Sequence, residues 1–371
     1  MQAGGAAPAC ARSFPWFPSS MHQLKVLFAL TAASALVACG GGGGDSPAPP
    51  PPVPAPVPVP SPAPAPGVGS NGTLQTSVAA ATYTDSRRLN AFNQLNAARQ
   101  GAGAGLLAQS TKLDGSALAH ANYLTANGFN SADSAHDETA GLPGFTGANP
   151  FVRMQNAGYA YSFASEVIGD IGSSSSTSDC VGDLLDTVYH AVSMLSRATD
   201  AGFGFGSGSA AGMCTIDMAA PLSDPSRQIP PSGAIVAYPY NGATVAHGTF
   251  HVSSETPRVS KTLLPADNAG TPIVVGFRNQ DVVAGGKVTI TQFSIATSAG
   301  AAVPAVILAG ATVSGTNVHD DATLDADAPE FAVLVPSSPL AAGSYTVTLH
   351  ASIGGGAALQ PATWSFTVAA Q

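Results

Sequence analysis

Charge is scarce in this chain. Of its 371 residues only 9% are Asp, Glu, Lys or Arg, and 13 basic residues face 22 acidic ones. No basic patch occurs, nor any interleaving of basic with aromatic residues, so nucleic acid is not an expected partner. Glutamate appears only at Glu138, Glu166, Glu255 and Glu330, which leaves few carboxylates of that length for chemistry. No Ser-His-Asp or Cys-His signature marks a nucleophile. The apolar run at 26–37 is too short to span a bilayer comfortably.

What is present begins with that run. Lys25 precedes it, and it ends in Leu36-Val37-Ala38-Cys39, the layout of a signal segment whose natural start is Met21. Leu-x-Ala-Cys resembles a bacterial lipobox, which implies a lipid on Cys39 and cleavage before it. An ordinary signal peptide with an incidental cysteine is the alternative. Gly40 rather than aspartate after the cysteine points to the outer membrane, with the protein periplasmic or surface-exposed. Residues 1–38 carry only Arg12 and Lys25, so their removal takes the formal charge from −9 to −11. Five glycines follow, then a stretch at 47–66 made mostly of Pro, Ala and Val. Proline alternation favours an extended rod, on the order of 60 Å long at about 3.1 Å per residue. With Cys39 lipidated, the mature chain retains Cys180 and Cys214, which an oxidising compartment would join in one disulfide. Two buried free thiols are the alternative.

The rest divides in two. Leu89, Phe92 and Asn96 recur at helical spacing, as do Leu113, Ala117, Leu118, Ala121 and Leu124. A third amphipathic stretch runs through Val181, Leu184, Leu185, Val188, Val192 and Leu195, with His190 near its polar edge. Prolines at 221, 225, 230 and 231 break the pattern. Beyond them the chain reads as all-β, with short strands at 235–238, 273–277, 287–291, 331–335, 344–347 and 364–368. The domains are therefore a signal segment at 1–38, a lipidated linker at 39–80, an α+β domain at 81–222, a connector at 223–233 and a β-sandwich at 234–371. His319-Asp320-Asp321 could form a calcium loop, but no EF-like spacing surrounds it, and a solvated turn is the plainer reading.

Three residues carry the chemistry. His136, Glu166 and His190 lie in Ser-Ala-His-Asp-Glu, Ser-Glu-Val-Ile-Gly and Thr-Val-Tyr-His-Ala-Val-Ser-Met-Leu, 30 and 24 residues apart. Two imidazoles and a carboxylate suit a divalent metal or a proton-transfer site. The order of the flanking segments is more informative than the gaps. Asn96-Ala97-Ala98-Arg99 comes first, then Gly105-Leu106-Leu107, then His136. Arg153 follows, ahead of Gly158-Tyr159, then Glu166, the His190 segment, and Gly202-Phe203-Gly204-Phe205-Gly206. From about 83 to 220 this series resembles the CAP superfamily (SCP-like, PR-1-like) in its short bacterial form. The ending Pro339-Leu340 through Tyr345, then Trp364-Ser365-Phe366-Thr367-Val368, resembles bacterial Ig-like modules. The implied fold is a CAP-like α-β-α sandwich followed by an all-β Ig-like sandwich.

The sequence also departs from that family's pattern. Val167 stands where asparagine is usual, Ala191 where arginine is usual, and Leu184 where tryptophan often stands. A second cleft glutamate is missing, and Asp186 does not align with it securely. The resemblance implies a cleft of His136, Glu166 and His190, with Glu138 a further candidate acid or simply a loop carboxylate. His136 and His190 are the candidate metal ligands, with zinc the natural ion. Arg153 could pair with a carboxylate and hold the cleft together. His120, mid-helix between alanines, reads as structural or exposed. Two function classes follow: a binding module for a lipid, glycan or protein, and a metal-dependent hydrolase with Glu166 as ligand or base. A hydrogen-bonded cluster without turnover would look the same in sequence.

Overall fold

The computed structural model describes residues 73–128, 134–171, 179–206, 212–223, 228–277, 287–356 and 358–370, without the side chains of Asp170 and Ile171. All of them fall in one compact unit, Pro60–Gln371. The signal segment, Cys39 and most of the linker lie outside the described residues.

Helix α1 (Ser86–Ala102) starts where the Asp85 side chain accepts the Arg87 amide, and stops at Gly103 with φ 78°. Phe92, Leu95, Asn96 and Arg99 form its buried face. Arg99 is fully buried, and its guanidinium donates to the carbonyls of Ala104, Gly105, Met194, Ser196 and Ala198. Asn96 pairs with Leu107 through both its amide oxygen and its amide nitrogen. The Asn-x-x-Arg motif is thus a peg that fixes two loops. Burial lowers Arg99 to about 9.

Strand β1 (Ala108–Gln109) leads into α2 (Thr111–Asn127), capped by Ser110, and then α3 (Pro150–Asn156), capped by Asn149 with Pro150 opening the first turn. Next come β2 (Tyr161–Ile171), α4 (Cys180–Leu185), α5 (Tyr189–Met194), β3 (Asp200–Phe205) and β4 (Gly212–Pro221). The sheet order is β1-β3-β4-β2, parallel only at β1–β3. Side chains alternate across it. Val167, Phe203, Phe205, Cys214, Ile216 and Met218 pack in one cluster with α1, α4 and α5. Ile168 and Met213 pack with α2 residues, and Ala219 packs with Leu113 of α2 and Met154 of α3.

Gly202 and Gly204 let α2 press onto β3. A Cβ on Gly202 would fall 2.1 Å from the Asp114 nitrogen, and one on Gly204 would fall 2.2 Å from the Ala117 carbonyl oxygen. The Gly-x-Gly-x-Gly element therefore serves close helix–strand approach. Cys180 and Cys214 form a disulfide that joins α4 to β4.

The second half holds β5 (Val236–Tyr238), β6 (Thr244–Val245), β7 (Thr249–His251), β8 (Asn268–Gly270), β9 (Ile273–Gly276), β10 (Val288–Thr297), β11 (Ala302–Val303) and β12 (Ala305–Ala309). It continues with β13 (Val313–Gly315), β14 (Val318–Asp320), α6 (Ala322–Asp327), β15 (Phe331–Pro336), β16 (Gly343–Ile353) and β17 (Thr363–Val368). One sheet runs β11-β10-β16-β17-β6 with β13 against β10, and a second runs β14-β12-β15-β9-β5. β7 and β8 form a separate pair. Phe293, Val347 and Phe366 of the first sheet share an apolar cluster with Val274, Leu308 and Val333 of the second. The His319-Asp320-Asp321 segment ends β14 and caps α6: Asp321 accepts from the Thr323 and Leu324 amides.

The two halves share that cluster, which runs from α1, α4 and α5 into the second half without a break. Tyr240 lies flat against Gly101, where a Cβ would meet its ring at 2.6 Å. The stretch read as one amphipathic run at 181–195 is two short helices. The break has a cause in the second half, because the Tyr189 amide donates to Glu255 Oε1 (2.8 Å). The Thr187 hydroxyl meanwhile takes the Leu184 carbonyl.

Candidate functional site

Glu166 sits on β2, buried at the floor of a groove. Arg153 of α3 grips it with Nη2 at 2.8 and 2.7 Å from its two oxygens, and His136 Nδ1 stands 2.9 Å from Oε1. Arg153 also donates through Nη1 to the His136 carbonyl (2.8 Å), which fixes the loop that carries the imidazole. Burial alone would raise the Glu166 carboxyl. The His136 hydrogen bond and the Arg153 charge outweigh it and hold the group down at about 2. Across the β2–β4 pair stands Asp217, fully buried. Burial first, then the Glu166 charge, pushes its carboxyl well above the usual carboxylate range.

A second pair lies next to the first. His120 of α2 is fully buried, with Nδ1 2.9 Å from Glu138 Oε1 and Nε2 3.0 Å from the Ala135 carbonyl oxygen. Both ring nitrogens face oxygens. Glu138 also accepts the amides of Thr146 and Gly147. It is lowered despite the burial that opposes this, by His120 and those amides. Glu138 is therefore a loop-fixing carboxylate built into the cluster. The placement of His120 differs from the reading as structural or exposed in one respect, since it contacts the site's acids. A signal existed: position 120 falls three after Ala117 and four before Leu124, on the buried face of α2.

His190 is placed differently from His136. Its Nδ1 faces the Thr187 hydroxyl (2.9 Å) and Glu255 Oε2 (3.5 Å), the latter from the second half. Burial, with a smaller push from His136, lowers it to about 4. Burial also raises Glu255 to about 7, against the opposing Tyr189 amide. His190 is therefore neutral near pH 7, where Glu255 is about half ionised, and with no charge on the imidazole their contact is not an ion pair. Among the described residues no three His, Cys, Asp or Glu side chains are placed to hold a metal ion together. The donor set at His136 and His190 does not fit zinc: the carboxylate nearest His136 is held by Arg153 through both oxygens, and His190 turns to Thr187 and Glu255.

Above Glu166 the groove encloses about 420 Å³. Its first-half walls include His136, Phe151, Phe163, Ser165, Tyr189, Ser196 and Arg197. The opposite wall comes from the second half: Thr323, Leu324 and Asp327 of α6, with Glu330 and Phe331 after it. Tyr189 donates its hydroxyl to Asp321 Oδ2 (2.9 Å), and Arg197 pairs with Glu330 (3.2 Å), so α5 and α6 are tied at the groove. His190 is not among the groove-lining residues. Arg197 and Glu330 were not singled out from sequence, and no local motif announces them.

Residues 92–218 match the CAP family, the cysteine-rich secretory protein family. The match covers about a third of the chain. No curated protein matches. Among solved structures, the chain is similar to CopC from Methylosinus trichosporium OB3b at 20% identity, over 36% of this chain and 88% of that one, with a TM-score of 0.20. PcoC, a methionine-rich copper resistance protein from Escherichia coli, is similar at 17% identity over 36% and 92%, with a TM-score of 0.21. Likenesses this low carry nothing about function. The CAP-like segment holds every residue of the Glu166 cluster.

Proposed function

We propose that this chain is an extracytoplasmic lipoprotein whose CAP-like domain binds a ligand in the groove over Glu166 without chemical turnover. In this reading the first half takes the family's α-β-α arrangement and the second is an Ig-like sandwich. A lipid on Cys39 tethers both to the outer membrane through the Gly/Pro-rich spacer. The observation that carries the binding role is the state of Glu166. A general base works best with a carboxyl near its working pH. Glu166 has both oxygens engaged and is held at about 2. The neighbouring His120–Glu138 pair is equally closed, so the cluster acts as a rigid floor. The hydrolase reading would need Glu166 freed from Arg153.

The test is zinc dialysis and ester hydrolysis on the mature chain at neutral pH. No stoichiometric zinc uptake and no zinc-dependent hydrolysis are expected. Stoichiometric uptake that disappears in His136→Ala, together with hydrolysis that follows the metal, would overturn the reading. Tethering is tested separately: labelled palmitate should enter the natural chain and not Cys39→Ser.

A further inference from the structure

We infer that the groove is a composite site for an uncharged oligosaccharide, completed by the second half of the chain. This rests on the binding-module reading and names its ligand class. Three buried polar atoms with no hydrogen-bond partner among the described residues belong to groove-lining residues: Ser165 Oγ, Ser196 Oγ and Glu330 Oε2. Glu330 is only 3% exposed and Ser196 9%. Buried polar atoms are seldom left unpaired; these three are closed to solvent on residues that line the groove, and they pair with a ligand once their side chains turn toward it. The three differ in character. A carboxylate oxygen only accepts, whereas a serine hydroxyl both donates and accepts. A ligand matching all three must offer several groups that donate and accept, which sugar hydroxyls do.

The other walls suit the same ligand. Phe151, 46% exposed, stands at the rim beside Tyr161, with ring centroids 6.0 Å apart. Phe163 carries the Arg197 guanidinium 5.7 Å from its ring centroid. Aromatic faces take the C–H face of a pyranose, while its edge hydroxyls reach polar side chains. A purely aliphatic chain would leave the three polar atoms dry and unpaired, which weakens binding. Asp137 and Asp327 are exposed at the groove and disfavour an anionic sugar. Arg197 holds Glu330 Oε1 at 3.2 Å, which keeps that carboxylate beside the groove.

The test uses the complete mature chain and calorimetric titration with chitotriose, cellotriose, maltotriose and mannotriose, with lauric acid in parallel. At least one trisaccharide should bind, and Glu330→Gln should weaken it about tenfold or more. Because Glu330→Gln also disturbs Arg197, Ser165→Ala and Ser196→Ala provide the cleaner arm. Neither hydroxyl has a partner to lose, so stability should hold while trisaccharide affinity falls several-fold. Binding by no trisaccharide, or binding indifferent to all three variants, overturns the proposal. Lauric acid binding alone would sink the sugar and keep the binding module. Zinc-dependent hydrolysis with no binding of either probe would sink both.

Discussion

Glu255 and His190 offer a test of how the seam between the halves responds to pH. Glu255 is buried and raised from 4.5 to about 7, chiefly by burial. The folded protein therefore holds that proton more tightly than the unfolded chain does. Its stabilising contribution is fully present below pH 4.5 and is lost as pH rises through 7. The difference corresponds to about 3 kcal/mol. His190 runs the other way. It is lowered from 6.5 to about 4, so its contribution is present above pH 6.5 and is lost as pH falls through 4, again by about 3 kcal/mol. The two nearly cancel between pH 4 and 7. Glu255→Gln keeps an oxygen for the Tyr189 amide and removes one side of this balance. Its stability relative to the natural chain should rise by about 3 kcal/mol between pH 4.5 and 7. Urea unfolding at a series of pH values reads this directly, and other titrating groups drop out of the difference. A difference that is flat or falls with pH would refute the argument.

Arg153→Met leaves Glu166 buried without its cation and should cost about 3–5 kcal/mol in urea unfolding, with the Glu166 carboxyl rising in an NMR titration. Gly204→Ala forces a methyl against the Ala117 carbonyl and should destabilise by about 1–3 kcal/mol, read as a lowered Tm. Replacing Cys180 and Cys214 with serine opens a loop of sequence separation 34 and should cost about 4 kcal/mol.

Periodicity made α1, α2 and several of the strands legible, because each buries one face: Phe92 and Leu95 on α1, Leu113 and Leu124 on α2, Trp364 and Phe366 on β17. The pairing of Arg153 with a carboxylate was legible too, through the ordered flanks of the CAP resemblance. Three matters were not. The break at 186–188 depends on Glu255, some 66 residues downstream of Tyr189, and no local pattern encodes such a bond. His190 looked like a partner of His136 because both were read from one motif series, yet its nearest carboxylate comes from the other half. Asp217 hides inside an apolar strand, where only its cross-strand register with Glu166 gives it meaning.

Under the proposed binding role, the α6 wall makes recognition a property of two chain segments that can vary independently. α6 is one short turn, started by Asp321 and steadied by the Tyr189 hydroxyl. None of its residues belongs to the sheet behind Glu166. Substitutions at Thr323 or Asp327 can therefore change which molecule fits while the His–Glu–Arg floor stays as it is. A protein with the same first half and a different partner module would present an open trough with the same floor and another selectivity. Drift in specificity is then expected in the small β-domain turn at 322–331 sooner than in the Glu166 cluster.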